Sequence, residues 1–128
     1  MRRAARCAPA LALMGLIFFL SSRPDLSSGI EGWDFLLRKI GHMAVFGALF
    51  LALLYALPGR PREAAALAIL YAASDEWHQS FVEGRHGTPT DVLIDTAGVL
   101  LAWGLVRRRR RRRRAASSTD RCPSGAAS

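Results

Sequence analysis

The chain has 128 residues, 51% of them hydrophobic, with two cysteines and a formal net charge of +8. That length holds one domain at most, and Cys7 and Cys122, near opposite ends, have neither the spacing of a disulfide framework nor that of a metal-ligand motif. The charge does not mark a nucleic-acid-binding surface, because eight of the arginines form one run, Arg107 to Arg114, directly after an apolar block and with no aromatic residue interleaved.

Apolar residues gather in four blocks, Ala8 to Leu20, Ile40 to Leu57, Ala64 to Ala73 and Val92 to Val106, with short charged connections between them. This pattern predicts an all-α, small polytopic membrane protein, a bundle of four transmembrane helices. Residues 1–6 read as a basic N-terminus, 7–106 as the membrane domain and 107–128 as an Arg-rich, disordered tail. Arg2, Arg3 and Arg6 precede the first block as they would in a secretory signal peptide. The block ends Phe18-Phe19-Leu20-Ser21-Ser22-Arg23-Pro24, without a small-x-small cleavage pattern, which favours a retained span over a cleaved signal.

Pro24, Ser27, Ser28 and Gly29 read as loop, with Trp33 as an interface anchor. The second span is entered through Leu36-Leu37-Arg38-Lys39-Ile40-Gly41-His42 and ends before the turn signal Pro58-Gly59. The third begins near Glu63. A crossing needs about 20 residues, so this helix is expected to continue past Ala73 through Asp75, Glu76, His78 and Gln79 to near Val82. Thr88-Pro89-Thr90-Asp91 reads as a helix start, with Thr88 as cap and Pro89 in the first turn. From Pro89 to Val106 such a helix rises about 27 Å, close to the hydrocarbon thickness, and Asp95 lies about 9 Å along it.

Arginine placement sets the expected orientation. Arg2, Arg3, Arg6, Arg60, Arg62, the Arg107 to Arg114 run and Arg121 fall on one side, against Arg23, Arg38, Lys39 and Arg85 on the other. Short basic segments stay in the cytoplasm, so both termini are expected there, with the protein in a cytoplasmic membrane. The arginine run then serves as a topology signal that touches anionic lipid, at about 1 kcal/mol per residue.

Polar residues concentrate on the opposite side. Positions three or four apart share a helix face, which joins Asp75 to His78 and Gln79, and Glu76 to Gln79. Asp91, Asp95, Gly98 and Ala102 form a second stripe, whose small residues let another helix approach closely and turn the carboxylates inward. Lys39 and His42 share a face on the second span, and Arg85 sits between Gly84 and Gly87 in a loop able to fold back over the cluster. Ionisable groups inside a membrane are costly unless paired and mark a functional site. The candidate binding residues are Lys39, His42, Asp75, Glu76, Gln79, Arg85, Asp91 and Asp95; Glu76, His42 and Asp95 are the candidates for catalysis. His42, His78 and the carboxylates could converge on a cation, but no recognised ligand spacing is present, so neither metal nor cofactor is assigned. A network that only locks the helices in register is the structural alternative.

Three stretches together resemble the VanZ-like family. They are Lys39-Ile40-Gly41-His42-Met43-Ala44-Val45-Phe46, then Ser74-Asp75-Glu76-Trp77-His78-Gln79-Ser80-Phe81-Val82-Glu83-Gly84-Arg85, then Asp91-Val92-Leu93-Ile94-Asp95-Thr96-Ala97-Gly98. The resemblance spans about Arg38 to Val106. It implies a small multi-helix protein of the bacterial envelope, and the family's namesake is associated with low-level resistance to the glycopeptide teicoplanin. Two departures stand out: Arg38 where many members carry an acidic residue, and Asp95 where many carry Asn. The expected function is binding of a lipid-linked or cell-wall precursor headgroup, or a phospholipid headgroup, in an outward-facing polar pocket. The alternative is a membrane-embedded hydrolase or transferase acting on a phosphorylated or lipid-linked substrate.

Overall fold

The computed structural model describes residues 2–23, 31–83 and 88–119, with side chains over 5–23, 36–83 and 88–117. Along them run four helices: α1, Arg2–Ser21; α2, Glu31–Ala56; α3, Pro61–Gln79; and α4, Pro89–Thr119. No strand occurs among the described residues.

The tightest connection is the one the sequence marks most clearly. Leu57, Pro58, Gly59 and Arg60 form a turn closed by the Arg60 N–H donating to the Leu57 carbonyl at 3.1 Å. Gly59 sits at φ +83°, the third-position geometry of a type II turn, which glycine adopts without a steric penalty. Pro61 then opens α3, where its missing N–H costs nothing, and Glu63 in the first turn accepts from Arg60 at 3.0 Å. At its far end α3 stops at Gln79, short of the expected Val82. The next N–H groups, of Phe81 and Val82, bond three residues back to His78 and Gln79 rather than four, tightening the chain out of the helix.

The second difference is at α4. The sequence reading ends the ordered chain at Val106, yet the helix continues through Arg107 to Arg114 and on to Thr119. Arginine is a good helix former, and propagation from an existing helix needs no new nucleus. The tail from residue 120 onward lies outside the described residues.

Among the described residues, α2 and α3 each touch all three other helices, whereas α1 and α4 do not touch one another. The bundle is therefore a diamond with α2 and α3 on its short diagonal. Its core holds Phe46, Leu49 and Phe50 from α2, Ala64, Ala65, Ala68 and Ala72 from α3, Ile17 from α1 and Val99 from α4. The alanine face of α3 leaves room for the two large rings of α2, and Phe50 packs on Trp103 with centroids 6.3 Å apart. α2 and α4 approach most closely at their glycines. A Cβ on Gly98 would overlap the backbone carbonyl of Met43, and one on Gly47 would come within 3.2 Å of the Gly98 oxygen. The small-residue stripe of the sequence thus faces α2.

The outside of the bundle is apolar. Leu11, Phe18 and Phe19 of α1, Leu37, Ile40 and Leu51 of α2, Leu67, Leu70 and Trp77 of α3, and Leu93, Leu101 and Leu105 of α4 are all exposed. Two helical segments, Leu36–Ala56 and Pro89–Ser117, are long and apolar enough to cross a membrane. The apolar part of α1, Ala5–Ser21, is shorter. Buried carboxylates under an exposed apolar surface invert the arrangement of a protein dissolved in water and point to membrane association.

Candidate functional site

Each helix turns one face to the core, and each of these faces changes from apolar to polar at the same end of the bundle. On α3 the buried row Ala64, Ala68, Ala72 continues at helical spacing into Asp75, Glu76 and Gln79. On α1 Ile17 is followed by Ser21, on α2 His42 precedes Phe46, and on α4 Asp91 and Asp95 precede Val99. Antiparallel neighbours bring these ends together: Ser21 ends α1, His42 lies in the first half of α2, Gln79 ends α3 and Asp91 begins α4.

Two linked sets result. On the α1–α3 side, the Ser21 hydroxyl donates to Asp75 Oδ2 at 2.8 Å and the Gln79 amide donates to the same oxygen at 2.9 Å. Gln79 Nε2 also lies 3.3 Å from Ser21 Oγ. Ser21, Asp75 and Gln79 are all buried. On the α2–α4 side, Lys39 forms an ion pair with Asp91, both half-buried. One turn deeper, His42 Nδ1 stands 3.3 Å from Asp95 Oδ1 and 3.5 Å from Oδ2. Asp95 is fully buried. Those separations exceed the roughly 2.7–2.9 Å of a well-formed charge-assisted hydrogen bond.

Glu76 joins the two sets. It is 5% exposed, and neither of its carboxylate oxygens has a hydrogen-bond partner among the described residues, although the Thr88 backbone amide faces it. Atoms of His42, Asp75 and Glu76 able to ligate a metal all lie within 4.8 Å of one another. A buried carboxylate without a donor is costly and calls for a specific explanation.

Of the residues expected at the site, Lys39, His42, Asp75, Glu76, Gln79, Asp91 and Asp95 gather at this end of the bundle. Arg85 lies outside the described residues. His78 turns away from His42: its Nε2 is 3.1 Å from the Ser22 hydroxyl and its ring stacks on Phe18 at 4.6 Å. Tyr71, one turn before Asp75 on α3, donates to the Met14 carbonyl at 2.7 Å. Ser21 is the site residue that sequence reasoning missed. Its signal was faint, a polar residue one turn beyond Ile17 at the close of an apolar block. A groove of about 310 Å³, lined by Met14, Leu53, Leu67, Leu70, Tyr71 and Ser74, is almost wholly apolar and includes none of the clustered site residues in its lining.

Fold and site together define a helical bundle with an apolar exterior and a cluster of polar side chains shared by its helices at one end. Residues 7–110 match the VanZ/LLP1 family over most of the chain's length, and the protein belongs to that family. No curated protein and no solved structure matches it.

Proposed function

We propose that this protein crosses a bacterial cytoplasmic membrane four times with both ends in the cytoplasm. Its polar chamber opens to the opposite face and binds the anionic headgroup of a phospholipid or lipid-linked envelope precursor. The observation that carries this reading is the enclosed set of Lys39, His42, Asp75, Glu76, Gln79, Asp91 and Asp95 beneath an apolar surface. α1 and α3, with 20 and 19 residues, rise about 30 and 28 Å and match the hydrocarbon thickness in length. Orientation is supported by Arg6, Arg60, Arg62 and the Arg107 to Arg114 run, which lie at the end of the bundle away from the polar cluster. In this arrangement the arginine run of α4 meets anionic lipid at the cytoplasmic surface.

Within the chamber, Lys39 is the cation that would exchange Asp91 for a phosphate oxygen, and Gln79 and Ser21 offer donors to the remaining polar atoms. Membership of the family does not by itself extend the namesake's glycopeptide resistance to this chain. One observation favours hydrolysis or group transfer as a second reading. Glu76, whose carboxylate oxygens accept no hydrogen bond among the described residues, stands beside a histidine that is itself oriented by Asp95, the form of a base with its positioning carboxylate.

Mass spectrometry of lipids co-purified with the full chain tests the binding reading. Enrichment of one headgroup class over the bulk membrane, lost in Lys39→Ala and kept in Glu63→Gln, is the expected result. A lipid profile equal to that of the surrounding membrane would contradict it.

A further inference from the structure

We propose that His42, Asp75 and Glu76 form a binding site for one divalent cation of the zinc–manganese class, with Asp95 holding the imidazole from behind. This goes beyond headgroup binding and does not depend on it. Three independent features support it.

The first is geometry. Ligand atoms of the three residues lie within 4.8 Å of one another, although they come from two different helices. Ligands about 2.0–2.2 Å from a metal stand up to about 4.4 Å apart across it. Small side-chain adjustments therefore bring the set to coordination distance.

The second is the unpartnered carboxylate. Glu76 is 5% exposed and has no hydrogen bond at either oxygen among the described residues. Among the described residues, Asp75 accepts hydrogen bonds from Ser21 and Gln79 on Oδ2, which leaves Oδ1 for another partner. Among the described residues, Asp75, Glu76 and Asp95 place three carboxylates around one imidazole, while Lys39 pairs with Asp91. A divalent cation offsets that surplus of negative charge in a medium where an isolated carboxylate is costly.

The third is the setting of His42. Its Nδ1 faces the fully buried Asp95 at 3.3 Å, which leaves Nε2 as the ring's ligand atom. Metal-binding histidines characteristically hand their other ring nitrogen to a carboxylate in this way. One imidazole nitrogen with two carboxylate oxygens suits a first-row divalent ion better than magnesium or calcium, which prefer oxygen alone. Three protein ligands leave coordination positions open for water or a phosphate oxygen.

The test uses the full chain in detergent, with any affinity tag removed, stripped by a chelator and titrated separately with Zn²⁺ and Mn²⁺. Saturable binding of one ion per chain is expected, and bound Mn²⁺ should show an imidazole-nitrogen coupling in its electron spin echo that disappears in His42→Gln. Asp95→Asn should weaken binding by the about 10–100-fold typical of losing a carboxylate behind a ligating histidine. Glu76→Gln and Asp75→Asn should each weaken it further, while Glu63→Gln, at the other end of α3, should bind as the unmodified chain does. The absence of saturable binding by the folded chain would overturn the proposal, as would unchanged affinity in the Glu76 and Asp75 variants. Should Glu76→Gln fail to fold, Asp75→Asn and the nitrogen coupling of the unmodified chain decide the matter.

Discussion

Gly98→Ala is expected to open the bundle where α2 and α4 cross. The added Cβ would fall on the Met43 backbone, onto its carbonyl oxygen and within 2.9 Å of its carbonyl carbon and Cα. Those atoms belong to a helix backbone, so no rotamer change relieves the overlap and the two helices must separate. Overpacking of this kind costs about 1–3 kcal/mol, and rigid backbone on both sides puts Gly98→Ala toward the upper end. Separation also lengthens the Lys39–Asp91 and His42–Asp95 pairs, which bridge the same two helices. Gly41 and Gly104 lie on those same helices, but a Cβ at either meets nothing within 4 Å. Alanine there should be neutral or stabilise by about 0.5–1 kcal/mol, since glycine is the weaker helix former. Reversible unfolding in mixed micelles, followed by far-ultraviolet circular dichroism as the fraction of sodium dodecyl sulfate rises, reads all three variants. Gly98→Ala as stable as the unmodified chain, or as harmless as Gly104→Ala, would refute the close approach of α2 and α4.

Leu70→Arg places a charge on the apolar exterior of α3, where Leu70 is 67% exposed; at the centre of a membrane helix this costs about 2.5–3.5 kcal/mol. A lower yield of membrane-inserted protein checks it, whereas a water-facing site would tolerate the change. Ser21→Ala removes a hydrogen bond to the buried Asp75 carboxylate and should cost about 1.5–3 kcal/mol in the same micelle unfolding assay. In chelator-treated protein, Glu76→Gln should hold or raise the thermal midpoint, because an unpartnered buried carboxylate costs more than a neutral amide; a clear fall would reveal a partner for Glu76. In the Cys7→Ser variant, a membrane-impermeant maleimide should label Cys122 in intact spheroplasts only after permeabilisation, as a cytoplasmic C-terminal tail requires.

The elements of this fold most legible in the sequence are those set by local chemistry. Pro58-Gly59 specifies its turn through the φ that glycine alone adopts without strain, and Pro89 marks the start of α4 because it fits a first helical turn. The inward stripe of Asp91, Asp95, Gly98 and Ala102 follows from helical periodicity, which any single helix displays. What spacing along one helix does not reveal is which helix lies opposite. Ser21 and Asp75 are 54 positions apart, and nothing local links them. For the same reason the proximity of His42 to Asp75 and Glu76 has no motif, because its ligand atoms come from separate helices and converge only on packing. His78 shows the opposite error: it shares a face with Asp75 by spacing, yet the Phe18 ring and the Ser22 hydroxyl of the α1 end draw it away. The arginine run is exposed, as its charge suggests, yet it is helical, because arginine is a good helix former and α4 already runs up to it.

A dipolar-recoupling measurement between a ¹⁵N-labelled His42 imidazole and ¹³C-labelled aspartate carboxyls, on the full chain in lipid bilayers, reaches the buried polar cluster itself. Strong dephasing of the His42 Nδ1 signal is expected, consistent with Nδ1 and the Asp95 oxygens at 3.3 and 3.5 Å, and it should vanish in Asp95→Asn. An undephased His42 signal in the bilayer-embedded protein would mean that α2 and α4 do not bring these groups together, and the polar cluster would not form.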